Sequence, residues 1–528
     1  MSNWKNIDDL YIFNILRKVP KSVYVFCVTL ITGFLTNGFA MSGSYVNGDG
    51  MNAGPYYLAS NWDISQGRWG RIFFSHRFVL SWFDGLLTLI ILGIATIYII
   101  KILEMKSVSL CILVSMLMAT QTHFAQWQGS FYLLLPYAVS FVGAILAVWL
   151  CDCAELNLRG IVRFVAAVLL LTFSIGLYQS YLPIATTLIL MRIIRHFMSH
   201  DSLKQIIKKG LLYMGMGICA GGLYYGILRL SLIYYNVELT TARGFAEAME
   251  GRVPILSSPR YTLKSMYRLF IELLCGKGEV YHSFTGRVVY FALFAVLLYC
   301  ICYWLVQNRR YCVDNVMMCI CIILFPVAVV LLRMITETVI PWSMFPGIIF
   351  VPIGIIAFYD KVSEQIRGRV LIQWLIAGCG LFLILEAMYI SNIDYSNLKI
   401  RYEKTFAASI RLLDAVEYTD GYTMDTPVIF IGTLSDTYEN PLTQYETVLQ
   451  GYEAYIMDFL PFHETGSRGW HVYIRNNLGV KLKEPNDYNS LYSEICDSDW
   501  IDTLEAFPAK GCTGFYGDVL VVKLSEVR

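Results

Sequence analysis

Charged residues are scarce in this sequence. Asp, Glu, Lys and Arg make up only 15% of the 528 residues, whereas 56% are hydrophobic. An ordinary soluble protein carries nearer a quarter charged residues. The net charge is +1, so overall charge favours neither nucleic acid nor an acidic partner. The composition therefore excludes a soluble protein over most of this length.

Several sequence motifs are also missing. No glycine-rich phosphate loop, HExxH motif, CxxC pair or GxSxG elbow stands where it would predict a site. There is no internal repeat of the kind found in many transporters. Most of the 14 cysteines sit inside apolar runs, where they are typical of small buried hydrophobes. The first apolar run has no small-residue cleavage site and predicts a signal anchor.

Long apolar runs are abundant, and each is long enough to cross a bilayer as a helix. We predict an α-helical polytopic membrane protein with about eleven transmembrane helices. The predicted spans are residues 22–41, 79–101, 108–125, 131–150, 161–180, 182–198, 210–233, 288–306, 315–335, 342–359 and 370–391.

Basic residues orient these spans. Lysines and arginines precede the first span, follow the second and cluster between 192 and 209. Because such residues are enriched in cytoplasmic loops, the pattern predicts an N-terminus inside. An odd number of spans then places the C-terminus outside, and residues 42–78 form the first outer loop. The stretch from Pro254 to Leu274 is amphipathic and predicts a helix lying along the outer leaflet.

The composition changes after residue 391, so we divide the chain into a membrane domain, 1–391, and an extracytoplasmic domain, 392–528. RYEKTFAASIRLLDAVEYTD has apolar residues at helical spacing, and TPVIFIG and GDVLVVKL are typical of strands. We therefore predict a small α/β domain. Cys496 and Cys512 lie in it, and the sequence leaves open whether they form a disulfide or stay as thiols.

The first outer loop carries an isolated acid, Asp49, in VNGDG. A carboxylate at the membrane edge can act as a general base toward an attacking hydroxyl. The alternative is a plain turn, since Asn-Gly and Asp-Gly are strong turn formers. Asp63 is the fallback acid in the same loop.

The same loop continues into GRWGRIFFSHR. Arg68 and Arg71 could bind a phosphate bidentately, and Trp69 could stack on a sugar. An interfacial belt of Arg and Trp is the alternative. Arg333 lies near the outer end of its span, where an arginine predicts phosphate binding unless it pairs with Glu337 along one helix face.

Weaker candidates come from two other outer helix ends. THFAQWQGSF places His123, Gln126 and Trp127 at one of them, and LYQSYLP places Tyr178 and Gln179 at the other. Gln179 could hydrogen-bond a sugar or a neighbouring helix.

These features together resemble the bacterial polytopic glucosyltransferase family of Gtr type II, within the GT-C class. The resemblance is carried by VNGDG with GRWGR about twenty residues later, by the YQ pair of LYQSYLP, and by an ending of helical RYEKTFAASIRLLDAV, PVIFIG, NNLGVKL and AFPAKGCTGFYGDVLVVKL. It covers nearly the whole chain. One departure is that the family often shows paired acids where this chain has Gly48 before Asp49.

The resemblance implies an inverting transferase in the bacterial cytoplasmic membrane, with its chemistry outside. The donor would be undecaprenyl phosphate linked to one sugar, typically glucose, and the acceptor a cell-surface glycan. Asp49 would be the base, while Arg68, Arg71 and Arg333 would bind the phosphate and Trp69 and Gln179 the sugar. No cofactor is evident, because no ligand cluster here requires one. A divalent metal stays an open alternative, since some enzymes of this class use one.

Two other classes of function fit parts of the sequence. A transporter or flippase of lipid-linked sugar predicts internal repeats and ionisable groups at mid-membrane depth. A membrane scaffold would leave Arg333 and GRWGR with structural roles only. The polar groups gather at the predicted outer surface, which favours the transferase.

Overall fold

The protein was analysed as a computed structural model. It describes residues 6–43, 45–47, 50, 53–155, 157–240, 253–276, 283–336, 344–434 and 464–526. Within these ranges the chain is mostly helical, and its two small sheets lie in the predicted first outer loop and in the C-terminal part of the chain.

The helices in chain order are α1 Tyr11–Leu16, α2 Lys21–Gly43, α3 Asn61–Ser65, α4 Ser81–Ile102, α5 Val108–Ala119, α6 Thr122–Gly129, α7 Phe131–Asp152, α8 Leu158–Leu177, α9 Leu182–Met198, α10 Leu203–Tyr235, α11 Pro254–Ser257, α12 Pro259–Cys275, α13 Phe284–Gln307, α14 Cys312–Val329, α15 Phe350–Val362, α16 Arg369–Glu417, α17 Glu464–Leu478 and α18 Tyr488–Asp497. The strands are β1 Tyr56–Tyr57, β2 Arg77–Phe78, β3 Val428–Ile431, β4 Thr513–Tyr516 and β5 Val519–Lys523. Short 3-10 helices cover Ile7–Asp9, Trp69–Phe74, Gln179–Tyr181, Leu331–Met334, Pro346–Ile349 and Asp499–Thr503.

Eight of the described helices are long and apolar enough to cross a membrane: α2, α4, α7, α8, α10, α13, α14 and α16. This confirms a polytopic membrane protein. The predicted spans 108–125, 182–198 and 342–359 coincide with the shorter helices α5, α9 and α15, of 12, 17 and 13 residues. The count of eleven therefore stays a prediction.

Local sequence sets where these helices start and stop. The side chains of Asn157 and Ser283 accept hydrogen bonds from Gly160 N and Gly286 N, which caps the first turns of α8 and α13. Helix α12, which covers most of the predicted amphipathic stretch, ends at Gly276 with φ +63°. Only glycine adopts that left-handed conformation without steric cost, so the helix stops there.

Several of the basic residues that were predicted to be cytoplasmic meet at one end of the helix bundle. There Arg192 pairs with Glu104 at 2.8 Å and with Asp152 at 3.0 Å, and Lys361 Nζ donates to Ser199 Oγ at 2.8 Å. These contacts join the ends of α4, α7, α9 and α15. Residues 42–78, the predicted first outer loop, follow the opposite end of α2, so the bundle separates these contacts from the end that carries the candidate site.

Helix α16 is continuous over 49 residues and passes through the predicted boundary at 391. In its membrane half, Ile376 and Ile384 belong to the main hydrophobic core. Near the boundary, Tyr395 Oη donates to Asn37 Oδ1 of α2 at 2.5 Å. Further along, Leu412 and other apolar side chains pack into a second core.

The second core surrounds a three-stranded sheet of order β3-β5-β4. Strand β5 pairs in parallel with β3, with Val428 opposite Leu520, and antiparallel with β4. Phe430 on β3 and Trp470 on α17 are completely buried there. The predicted strands in TPVIFIG and GDVLVVKL are therefore confirmed, while β4 was not predicted. Cys496 and Cys512 are free thiols.

Candidate active site

The candidate base, Asp49, lies outside the described residues, but the chain on both sides of it is held firmly. Asn47 is 2% exposed, and its Nδ2 donates to Ser130 Oγ at 2.8 Å. Its backbone N donates to Gly129 O at 2.8 Å. Its Oδ1 accepts from Gly50 N at 3.0 Å. The loop is thus bonded to the junction of α6 and α7 immediately before the segment that carries Asp49, and Gly50, immediately after it, is bonded back to Asn47.

The turn before Arg68 is fixed by polar groups from two other helices. Gln179 Nε2 donates to Gln66 O at 2.7 Å, and Tyr224 Oη donates to Gly67 O at 3.1 Å. Gln179 Nε2 also lies 3.0 Å from Tyr224 Oη. Gly67 has φ +75°, and a Cβ there would clash with Tyr224 Oη. The turn therefore requires glycine for its backbone conformation and for this close approach.

Asp63 and Arg71 form a buried ion pair. Arg71 Nη1 donates to Asp63 Oδ1 at 2.5 Å, and the side chains of Arg71 and Asp63 are only 3% and 8% exposed. Arg71 Nη2 donates to Tyr137 Oη of α7 at 2.6 Å. Asp63 Oδ2 accepts from Ser60 N at 3.0 Å, which caps α3. Each member of the pair is thus engaged inside the protein.

The electrostatics keep Asp63 ionised. Burial alone would raise the pKa of this carboxyl. The adjacent Arg71 guanidinium and the hydrogen bonds from Ser60 and Arg71 outweigh burial, and the pKa lies below its usual value. A carboxylate stabilised in this way is a weak proton acceptor, which favours a structural role for Asp63 over that of a base.

An aromatic cluster surrounds the two arginines. Tyr137 and Tyr178 stack with ring centroids 4.3 Å apart, and the Arg68 guanidinium lies 5.0 Å from the Tyr178 ring centroid. Trp69 is 6% exposed and packs against α8 at Gly176, where a Cβ would clash with the indole ring. The glycine thus makes room for the indole, which is buried among protein side chains.

Two helix ends that were predicted to lie at the outer side complete the surroundings. In α6, Trp127 is buried and its ring contacts Tyr181, with centroids 5.8 Å apart. His123 is also buried, while the side chain of Gln126 is outside the described set. Tyr181 itself is completely buried between these aromatic groups.

Arg333 lies in another part of the chain. It sits in the 3-10 helix Leu331–Met334, after α14 has ended at Val329, and its Nε donates to Ser265 Oγ of α12 at 3.0 Å. The alternative partner Glu337 is outside the described residues. The structure therefore brings Arg68, Trp69, Arg71 and Gln179 into one region and ties Arg333 to the amphipathic helix.

Three site residues were not among those singled out in the sequence: Asn47, Tyr137 and Tyr224. Tyr137 and Tyr224 stand inside apolar runs of the sequence. Because a buried tyrosine hydroxyl usually has a hydrogen-bond partner, their positions could have indicated polar contacts there. Their partners lie 66 and 157 residues away, so the contacts depend on the fold. Within the described residues, no group of three or more His, Cys, Asp or Glu side chains could hold a metal ion.

A comparison with protein families decides the assignment. The family model described as Glucosyl transferase GtrII matches residues 38–359, more than half of the chain. The chain belongs to the GtrII glucosyl transferase family. The GtrII match includes the first outer loop, the aromatic cluster and Arg333, and it ends before α16. No curated protein and no solved structure matches the chain.

The match confirms the resemblance to the GtrII family over residues 38–359, and the resemblance of the C-terminal stretches after residue 391 stays a prediction. Together with the eight apolar helices, the match indicates a membrane glucosyltransferase that takes a sugar donor and a glycan acceptor.

Proposed function

We propose that this GtrII protein transfers glucose from the lipid-linked donor undecaprenyl phosphate glucose to a cell-surface polysaccharide. The reaction takes place on the outer side of the cytoplasmic membrane. The N-terminus is inside and the C-terminal domain outside. The observation that carries the proposal is the firm attachment of the first outer loop. Four residues of this loop are bonded to the start and body of α7, to the 3-10 helix at Gln179 and to α10: Asn47, Gln66, Gly67 and Arg71. A connecting turn needs no such attachment, whereas catalysis needs groups held in place.

In the proposed reaction Asp49 removes the proton from an acceptor hydroxyl. The resulting oxygen forms a bond to the anomeric carbon, with inversion, while the bond from that carbon to the phosphate oxygen breaks. Undecaprenyl phosphate leaves with the electron pair. One carboxylate is sufficient, because a phosphate leaving group needs little protonation, unlike the alkoxide in a glycoside hydrolase.

The arginines take different parts in this proposal. Arg68 and Arg333 bind the donor phosphate and stabilise its growing negative charge. Arg71 was grouped with them in the sequence, but its guanidinium already bonds Asp63 and Tyr137. We therefore assign it the positioning of the loop. Trp69 packs on α8 and Gln179 bonds the Arg68 turn, so both act on the donor site through the backbone they hold.

The test is transfer of radiolabel from undecaprenyl phosphate glucose to surface polysaccharide in membranes carrying the protein. We expect Asp49→Asn to lower the rate by about 10²- to 10⁴-fold, the usual contribution of a general base. Asp518→Asn is the matched control, because Asp518 is an exposed acid in the turn between β4 and β5. Repeating the assay with EDTA measures any metal dependence directly.

Each outcome has a clear meaning. Equal transfer by wild type and Asp49→Asn would remove Asp49 from the mechanism. No transfer by wild type with any sugar of a lipid-linked panel would contradict the transferase. Movement of label across the membrane without transfer would instead support the transporter.

A further inference from the structure

The C-terminal domain lies directly on the loop that carries Asp49. Val46 is a partly buried side chain that packs against both the main core and the core of the C-terminal domain. The Tyr45 ring contacts the Tyr402 ring of α16, with centroids 6.1 Å apart. Two residues immediately before Asn47 are therefore in contact with the C-terminal domain.

The domain also contacts the loop after Asp49, through Asn476 on α17. Gly54 has φ +68°, and a Cβ built there would lie 2.8 Å from Asn476 Nδ2 and 3.6 Å from Asn476 Cγ. The Asn476 amide thus packs against the bare Cα of Gly54. Asn477, the next residue of α17, accepts a hydrogen bond from Tyr402 Oη at 3.1 Å. The two contact points on the domain are therefore linked to each other.

Gly54 is connected to the segment that carries Asp49. Gly54 N donates to Gly50 O at 3.0 Å, and Gly50 N donates to Asn47 Oδ1 at 3.0 Å. Gly50 is packed closely, because a Cβ there would lie 2.9 Å from Val46 Cβ and 3.0 Å from Gly129 O. The hydrogen bond from Gly54 therefore connects the Asn476 contact to Gly50, the residue that follows Asp49.

We propose that the C-terminal domain is a positioning element for the catalytic loop, and that Asn476 is the positioning residue through which it acts. The inference rests on the proposed role of Asp49. It gives this domain, which lies beyond the GtrII match at 38–359, a part in the chemistry. Displacing a catalytic base by about 1 Å can lower the rate about 100-fold. A partial loosening of the loop that carries Asp49 should therefore lower kcat about tenfold.

The first test separates turnover from donor binding. We expect Asn476→Ala to lower kcat about tenfold while KM for the lipid-linked donor stays unchanged, since the proposed phosphate contacts are made by Arg68 and Arg333. Gly54→Ala disturbs the same contact from the loop side and should act in the same direction. Asn489→Ala is the matched control, an exposed asparagine on α18 of the same domain, and it should leave both constants at their wild-type values.

The second test does not depend on transfer. Hydrogen–deuterium exchange of the peptide covering residues 45–55 should be faster in Asn476→Ala than in wild type or Asn489→Ala. Exchange and kcat that both match wild type would overturn the proposal. If wild type transfers nothing, the proposed function fails, while the exchange result still decides whether the domain holds the loop. A rise in KM with constant kcat would make Asn476 a binding residue and also overturn it.

Discussion

Removing the charge of Asp63 should destabilise the protein rather than abolish a chemical step. In Asp63→Asn, the Arg71 guanidinium would stay buried, with the hydrogen bond to Tyr137 Oη retained. The amide oxygen of the substituted side chain could still accept from Ser60 N, so the cap of α3 would survive in part. The variant therefore isolates the loss of the carboxylate charge.

The expected loss is large because both side chains are buried. Removing one partner of a buried ion pair typically costs about 3–5 kcal/mol, since the other charge is left without compensation. Glu484→Gln supplies a comparison, because Glu484 pairs with Arg468 at 2.8 Å with side chains 36% and 49% exposed. An exposed pair of that kind contributes about 0–1 kcal/mol.

The pH dependence gives an independent check. The pKa of Asp63 is lower in the folded protein than its usual value, so its contribution to stability is fully present above about pH 4. It is lost as pH falls through the lowered folded-state pKa. The difference in stability between wild type and Asp63→Asn should therefore be constant from neutral pH down to about pH 5 and shrink below about pH 4.

The assay is unfolding of the purified protein in detergent, followed by near-ultraviolet circular dichroism, with transfer measured on the same samples. We expect a Tm several degrees below wild type for Asp63→Asn and within about one degree for Glu484→Gln. Residual transfer per folded molecule should remain measurable. A variant with wild-type Tm and no transfer would refute the reasoning and make Asp63 the catalytic base.

Three further substitutions test other parts of the site. In Gly176→Val, the Cβ of the introduced valine would clash with the Trp69 indole. We expect lower thermal stability and a lower rate of transfer, both measured on one preparation. Arg333→Lys keeps the positive charge but loses the guanidinium fork, so KM for the lipid donor should rise about tenfold, which corresponds to about 1.4 kcal/mol. A KM equal to that of wild type would show that Arg333 does not bind the phosphate. Tyr137→Phe removes the 2.6 Å hydrogen bond to Arg71 and should cost about 1.5–3 kcal/mol in unfolding experiments; an unchanged stability would show that Arg71 depends on its acid alone.

The sequence was sufficient for features that depend on local pattern. Apolar runs marked all eight long helices, and the β-branched stretches at 428–431 and 519–523 marked two strands. Strand β4, Thr513–Tyr516, was missed because TGFY contains a glycine and is partly exposed, so neither alternation nor hydrophobicity distinguishes it. The predicted span 315–335 extends beyond its helix at the C-terminal end. Hydropathy continues after Val329, whereas the α-helix ends there and a 3-10 helix follows from Leu331.

The candidate site was harder to predict, because its contacts are not local. Asp63 and Arg71 are eight residues apart, and this spacing is not typical of contacts within one helix or strand. The two side chains meet because α3 is followed by a tight turn at Gly67. Arg71 was therefore taken as a phosphate ligand in the sequence, whereas the fold gives it two internal partners. The contact between Asn476 and Gly54 joins two ends of the chain, and no pattern within either segment reveals it.

The length of α16 fixes the rotation of the C-terminal domain. Ile384 belongs to one core and Leu412 to the other, on a single helix. One residue inserted between them would turn the domain by about 100° and lift it by about 1.5 Å, because these are the increments of an α-helix. Seven inserted residues would nearly restore the angle but raise the domain by about 10 Å, out of reach of Gly54. Insertions are therefore tolerated far less within this helix than in the surface loops on either side of it.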